Sequence, residues 1–167
     1  MRIESMQDLF LEQIQDLYDA EQRLTKALHE MAEASTSSEL RHAFEEHLGE
    51  TEGQISKLEQ IFRSLGKNPK ATSCDAMKGL IKEGDNMISA IKESLLRDAG
   101  LIAAANRVEH YEIAAYGSAR AFAQILGLDR AVALLEETLQ EEKAADRKLT
   151  EIAESMINAE ASQVSMR

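Results

Sequence analysis

Glu21, Glu50, Glu109, Glu112, Glu142 and Asp146 fall within apolar stripes of three-to-four spacing, where a soluble helical protein ordinarily carries Leu or Ala. A carboxylate is rarely taken out of water without a partner. Gathered from four helices at one height, these groups would repel one another and be forced to take up protons. Two divalent cations bridged by carboxylates would neutralise them instead. The pattern therefore predicts a dinuclear metal centre. Hard oxygen donors suit iron or manganese, with magnesium or calcium as further candidates, over a thiolate-type zinc site.

The elements that must position these residues are well punctuated. Ser5 with Asp8 reads as a capping signal, and Met6, Leu9, Phe10, Ile14, Leu17, Leu24 and Leu28 recur at helical spacing, predicting a helix over 6–34. Thr36 with Glu39 forms a capping box before a second helix over 37–65, whose stripe of Leu40, Ala43, Phe44, His47, Ile55, Leu58, Ile61 and Phe62 is stopped by Gly66 and Pro69. A shorter connector is expected over 73–93, weakened by Gly79 and Gly84. An Ala-rich apolar helix follows over 96–126, then Gly127 as a stop, Asp129 as a cap and a last helix over 130–157, with a frayed tail beyond. Two tight joints make two antiparallel hairpins, and a connector helix of about 20 residues can span about 30 Å between them. The expected fold is all-α: a ferritin-like four-helix bundle, two antiparallel hairpins joined by a crossover helix, forming one domain over 1–167.

In an antiparallel hairpin, residues equally distant from the turn lie at one height, because both helices rise equally per residue. Glu21 and Glu50 are equidistant from the Ser35–Thr36 boundary. Glu112 with Glu142, and Glu109 with Asp146, are equidistant from Gly127–Leu128. Both hairpins thus carry their carboxylates about 22 Å from the turn. A single Glu at a stripe edge is ordinarily structural, and coincidence of height and face across both hairpins is what favours ligation.

Other polar groups carry less. His47, at a stripe edge, is a weaker ligand candidate and more often a hydrogen-bonded residue. His110 points one position away from Glu109 and is expected outside the site, while His29 and His42 read as surface residues. Tyr18 and Tyr116 lie one turn from ligand candidates and are expected chiefly to pack in the core. Cys74, the single cysteine, allows no internal disulfide and reads as a small buried apolar residue.

Composition excludes several classes. The net charge of −11 repels phosphate backbones and anionic membranes, so neither nucleic acid nor membrane is an expected partner. The start MRIESMQDLF lacks the apolar run of a signal peptide, and no stretch approaches the ~20 apolar residues of a membrane span, so the expected compartment is the cytoplasm. The sequence contains no Ser/His/Asp arrangement at helical reach, no phosphate-cradling Gly-rich loop and no paired-cysteine motif.

With these residues in hand, the chain resembles the YciE/YciF family of bacterial stress-associated ferritin-like proteins. The resemblance is carried by LYDAEQRLTKAL, HLGETEGQISKLEQIF, AMKGLI, LIAAANRVEHYEIAAYG and LLEETLQEEKAADRKLTEIA, and it covers nearly the whole chain. It implies a fold similar to that of rubrerythrins, whose third helix also offers Glu-x-x-Glu, the pattern of Glu109 and Glu112. It further implies a homodimer that can carry a dinuclear metal centre, without assigning a physiological role; a stress protein that sequesters metal or handles peroxide or oxygen is the expected function, and the sequence shows no signature of a large cage. A structural or interaction role for a helical dimer without catalysis is the alternative. Redox di-iron sites draw Glu-x-x-His from two of their helices, whereas Gly53 follows Glu50 by three residues and Ala145 follows Glu142 by three. Oxidase or peroxidase activity therefore does not transfer with the fold.

Overall fold

Helix signals in the sequence dominate the computed structural model, which describes residues 3–164. Those residues form α1 (Met6–Ala34), α2 (Ser38–Ser64), α3 (Asp75–Ala90), α4 (Ser94–Ile125), α5 (Asp129–Ile152) and, after a π-helical turn over Ala153–Ile157, α6 (Asn158–Ser162). No strand occurs among them.

The ends show why the helices stop where they do. Ser5 Oγ accepts the Asp8 N–H at 3.1 Å and donates to its carboxylate at 2.7 Å, so two groups at the start of α1 satisfy each other. At α2 the cap is Ser37, which accepts from Leu40 N at 3.3 Å; Thr36 does not fill that role. The reason lies outside the segment, because buried Asp98 accepts the N–H groups of both Thr36 and Ser37 and fixes the turn one residue later. Asp129 is not a side-chain cap either: α5 begins at Asp129 itself, behind Leu128, with no side-chain cap bond. Gly66 and Gly127 both take left-handed backbone, at φ 66° and 68°, where a Cβ would be strained. The following N–H groups, of Lys67 and Leu128, return to Phe62 O at 2.9 Å and Ala123 O at 3.0 Å, closing the last turns of α2 and α4.

Packing contacts link α1 with α2, α2 with α5, α5 with α4 and α4 with α1, in a closed ring. Within two of these pairs the chains run in opposite directions: Asn106 meets Asp146 and Thr150 while Arg120 meets Glu136, and Arg41 reaches Ala32 while Tyr18 reaches Glu59. The helix α3 lies outside the ring, against α1 and α4. That extra neighbour explains why α4 is apolar nearly all round: it packs on α1, α3 and α5 at once. The connector is shorter than expected, 16 residues, or about 24 Å. It breaks at Ile91, whose Cδ1 would lie 3.0 Å from a Cβ at Gly100, so close passage over Gly100 turns the chain into α4 two residues earlier than the sequence implies. The C-terminal tail is helical to Ser162 rather than frayed, since Ile157 and Ala161 are buried; its last three residues lie outside the described set.

Two apolar clusters make the core. Phe10, Ile14, Leu17, Phe62, Tyr116 and Leu135 belong to one, and Leu24, Leu28, Phe44, Leu101, Leu149 and Ile157 to the other. On α4 and α5, Glu109, Glu112 and Glu142 fall between the stretches assigned to the two clusters, and on α1 Glu21 sits at the same boundary, beside Ala20.

Candidate metal centre

The interval between the clusters is occupied by polar side chains. Glu21 from α1, His47, Thr51 and Gln54 from α2, Glu109 and Glu112 from α4, and Glu142 from α5 are all buried. Four of these, His47, Glu109, Glu112 and Glu142, each present a ligand atom within 4.8 Å of the others, a spacing at which one cation touches all of them.

His47 is the centre of this arrangement. Its Nδ1 lies 3.0 Å from Glu50 Oε2 on the outer side, and its Nε2 lies 3.1 Å from Glu109 Oε1 and 3.5 Å from Glu142 Oε2 on the inner side. The inner contacts are close without hydrogen-bond alignment, so Nε2 is left without a formed bond. Burial alone would lower the imidazole pKa, but the neighbouring carboxylates, Glu109 foremost, outweigh it and raise the value well above the ordinary histidine range. Without metal, His47 is thus a buried counter-cation; as a ligand through Nε2 it would have to release that proton.

The carboxylates are in the opposite situation. Burial raises Glu21 to about 7, against a hydrogen bond from Tyr116 that works to lower it. Glu112 and Glu142 are also pushed well above the carboxylate range, first by burial and then by neighbouring charges: Glu21, Glu142 and Glu109 raise Glu112, while Glu109 and Glu21 raise Glu142 against His47. Tyr116, wholly buried, donates its hydroxyl to Glu21 Oε1, and Gln54 donates Nε2 to Glu142 Oε1. Gln54 Nε2 also reaches Glu141 at 3.1 Å, which in turn holds Lys57 at 2.6 Å. Even so, Glu21 Oε2, Glu109 Oε2, Glu142 Oε2 and both oxygens of Glu112 are buried with no hydrogen-bond partner. Buried polar atoms are ordinarily paired. Orphaned oxygens from several helices, converging on one point beside a histidine nitrogen, are the donor set a divalent cation requires. The chain's residues fit the metal that its pattern implies.

The six predicted acidic residues do not all converge. Glu109, Glu112 and Glu142 join the four-membered set, and Glu21 is buried beside Glu112 but outside it. Glu50 is level with the set but 46 % exposed, attached to it through His47. Asp146 turns away to Asn106 Nδ2 at 2.7 Å and His110 Nε2 at 3.2 Å. Helix geometry accounts for both: three residues along α2, Glu50 is rotated about 60° from His47, and four residues along α5, Asp146 is rotated about 40° from Glu142. His47 takes the inward position that Glu50 was expected to share, at 5 % exposure. Its signal was present in the sequence as a stripe member, yet one histidine on an apolar face carries no mark of direction. Gln54, which no reading of residue types singled out, holds Glu142. His29 and His42 are exposed as expected, Tyr18 packs edge-on against Phe62, and Cys74 is buried with Sγ 3.0 Å from the Tyr111 hydroxyl.

Comparison with known proteins places this geometry. A model for the family described as a domain of unknown function, DUF892, matches residues 5–162. Protein YciF of Escherichia coli strain K12 is 44 % identical over 162 residues, spanning 96 % of this chain and 98 % of the relative. The crystal structure of that E. coli stress protein superposes with a TM-score of 0.90, covering 93 % of this chain and 99 % of its own. YcfI from Rhodopseudomonas palustris, for which a structural role has been suggested, gives a TM-score of 0.87 at 45 % identity over 89 % of this chain and 94 % of its own. A Xanthomonas campestris protein at 20 % identity, covering 96 % of this chain and 99 % of its own, shares the fold with a TM-score of 0.75. On the near full-length family match and the identity to YciF, the chain belongs to the DUF892 family.

Proposed function

We propose that this chain is a metal-binding stress protein: a ferritin-like four-helix bundle, two antiparallel hairpins joined by the crossover α3, enclosing a dinuclear centre of iron or manganese. The closed ring of four long helices and the superposition on YciF support the architecture. The single observation that carries the function is the set of five buried carboxylate oxygens without a hydrogen-bond partner, on Glu21 and on the three glutamates grouped with His47. In this reading His47, Glu109, Glu112 and Glu142 hold one cation, and Glu21, with the open oxygens it faces, completes the second. Glu50 and Asp146 support from outside. Bound iron or manganese would supply a Lewis acid and, for iron, one-electron chemistry at the site. The protein's own residues bury the centre, and Tyr116 and Gln54 orient Glu21 and Glu142. Sequestration of metal, or the handling of peroxide or oxygen under stress, is the physiological role we assign, in a cytoplasmic homodimer.

Elemental analysis after anaerobic loading with Fe(II) or Mn(II) tests this directly. The expected result is about two equivalents per chain and a raised Tm; less than about a tenth of an equivalent, with no thermal shift, overturns it. A second reading, a structural helical dimer, draws on the exposure of Glu50 and the outward turn of Asp146, which thin the ligand set. Peroxide consumption by Fe(II)-loaded protein no faster than by free Fe(II) would favour sequestration or that structural role over chemistry, and metal binding separates those two.

A further inference from the structure

A buried site needs a way in. Between α2 and α5 a cavity of about 90 Å³ is lined by Ala43, His47, Glu50, Ala144, Ala145 and Lys148. Of the four grouped ligand residues, His47 is the one that lines it. The rest of the wall falls into three kinds: small, large apolar and charged. Ala43, Ala144 and Ala145 are small, and Ala145 stands three residues after Glu142, where di-iron sites place a bulky histidine ligand. The space beside His47 therefore follows from residues that leave it unfilled. Phe44 and Leu149 are its large, buried apolar members. Its charged members are Glu46, Glu50, half-exposed and bonded inward to His47, and Lys148, also half-exposed, which crosses from α5 to the carboxylate of Glu46 on α2. The cavity thus leads from Glu50 to His47, whose Nδ1 faces Glu50 and whose Nε2 stands against Glu109 and Glu142 on the other side of the ring, so a cation that reaches His47 is one side chain away from the carboxylates. An organic substrate needs about 300 Å³ or more. This cavity is far smaller and matches a partly hydrated cation.

We infer that divalent cations enter the centre through this α2–α5 cavity, with Glu50 as the first carboxylate to take them and the Lys148–Glu46 pair as a removable charge across the mouth. The inference rests on the metal-centre reading above. An ammonium at the mouth repels an incoming cation and occupies a carboxylate that would otherwise attract it, whereas the Glu50 carboxylate concentrates cations beside the one ligand that reaches the cavity. Glu50 is then a positioning and transfer residue, which explains its height without its depth.

The test is the rate of uptake of Mn(II) alone by metal-free full-length protein, followed as loss of the free-ion electron paramagnetic resonance signal, with final stoichiometry measured separately. Glu50→Gln should slow uptake about tenfold, and Lys148→Ala should speed it by a few-fold, about two to five. Ala144→Leu, at an exposed helix position that tolerates a larger side chain, should plug the mouth and slow uptake about tenfold with unchanged final stoichiometry. Thermal melts of each metal-free variant confirm folding, and the two surface substitutions Lys148→Ala and Ala144→Leu keep the test open should Glu50→Gln misfold. Uptake at the wild-type rate in all three variants, with full stoichiometry, overturns the entry route and leaves the metal centre standing. Wild-type protein that takes up no Mn(II) or Fe(II) removes both.

Discussion

Two of the three buried carboxylates on α4, Asp98 near its start and Glu112 some four turns further along, are treated in opposite ways. Both Asp98 oxygens accept backbone N–H groups, with Thr36 N at 2.9 and 3.2 Å and Ser37 N at 2.8 Å. Neither oxygen of Glu112 has a hydrogen-bond partner. One helix therefore carries a carboxylate that holds the fold and another that the fold must hold. Charge, burial and helix are shared, so the difference isolates what an open coordination position costs: a raised pKa, like-charge neighbours and unmet hydrogen bonds. A protein whose buried acids served stability alone would have completed Glu112 as it completes Asp98.

Stability separates the two most strongly. Asp98→Ala leaves the Thr36 and Ser37 N–H groups without acceptors at the start of α2 and should destabilise by about 3 kcal/mol in urea unfolding, with or without metal. Glu112→Gln, measured on metal-free protein at pH 8, should cost nothing or raise stability, because the amide keeps the shape and removes a group whose ionisation is opposed by burial and by neighbouring carboxylates. Loss of comparable size from Glu112→Gln would break the comparison, since Glu112 would then be another structural acid.

The pH dependence sharpens it further. Glu21, raised to about 7, and Glu112 and Glu142, raised well above the carboxylate range, each bind protons more tightly folded than unfolded. Such a group contributes stability that is fully present below its unfolded pKa and is lost as pH rises through the folded one. His47, also raised, acts with the same sign. Metal-free protein should therefore lose stability between pH 5 and pH 8, on the order of 2 kcal/mol from a carboxyl titrating near 7. Glu112→Gln with Glu142→Gln should flatten the slope. Metal-loaded protein, its carboxylates neutralised by cations, should not show it. Parallel melts across that range decide, and identical slopes in wild-type and double-variant metal-free protein would mean that no buried cluster titrates.

This contrast also explains what the sequence could and could not convey. Helix type and approximate extent follow from local periodicity and from Gly66 and Gly127, because left-handed stops and apolar stripes are local signals. The cap of α2 falls on Ser37 rather than Thr36 because the turn is set by Asp98, sixty-odd residues away, and no local pattern carries a partner at that distance. At the site, the turn arithmetic yields height, a single coordinate. Depth needs rotation about the helix axis as well, and that is where Glu50 and Asp146 part from Glu109, Glu112 and Glu142. His47 and Gln54 carry little local signal for a related reason. What makes them part of the site is which carboxylates stand opposite on α4 and α5, a fact of tertiary packing.

A smaller effect probes how the open carboxylates are oriented. Gln54 reaches Glu142 from α2 while its own Oε1 is unpartnered and buried, so its role is directional. Gln54→Leu keeps much of the volume, relieves that oxygen and frees Glu142. Metal-free stability should barely change, whereas Mn(II) affinity by isothermal titration should fall about tenfold, as for lost partners of metal ligands generally. The reverse pattern, lost stability with unchanged affinity, would make Gln54 a packing residue.

The smallest effect is expected at Tyr116, where the apolar cluster and the polar layer meet. Its ring is buried among Ile14, Leu17, Leu135 and Leu139, and its hydroxyl donates to Glu21 Oε1. Tyr116→Phe keeps the ring and deletes one hydrogen bond, at about 1 kcal/mol. The cost should itself depend on pH. A hydrogen bond donated to a carboxylate favours its ionised form, so the hydroxyl works against the burial that raises Glu21. Removing it leaves Glu21 harder to ionise and moves its titration to higher pH. In metal-free protein the penalty should therefore be smallest near pH 5, where Glu21 is protonated in either variant, and largest near pH 8, where the wild-type carboxylate is charged and the variant must charge it unaided. A penalty equal at both pH values would place Tyr116 wholly in the apolar core and detach Glu21 from the layer of open carboxylates.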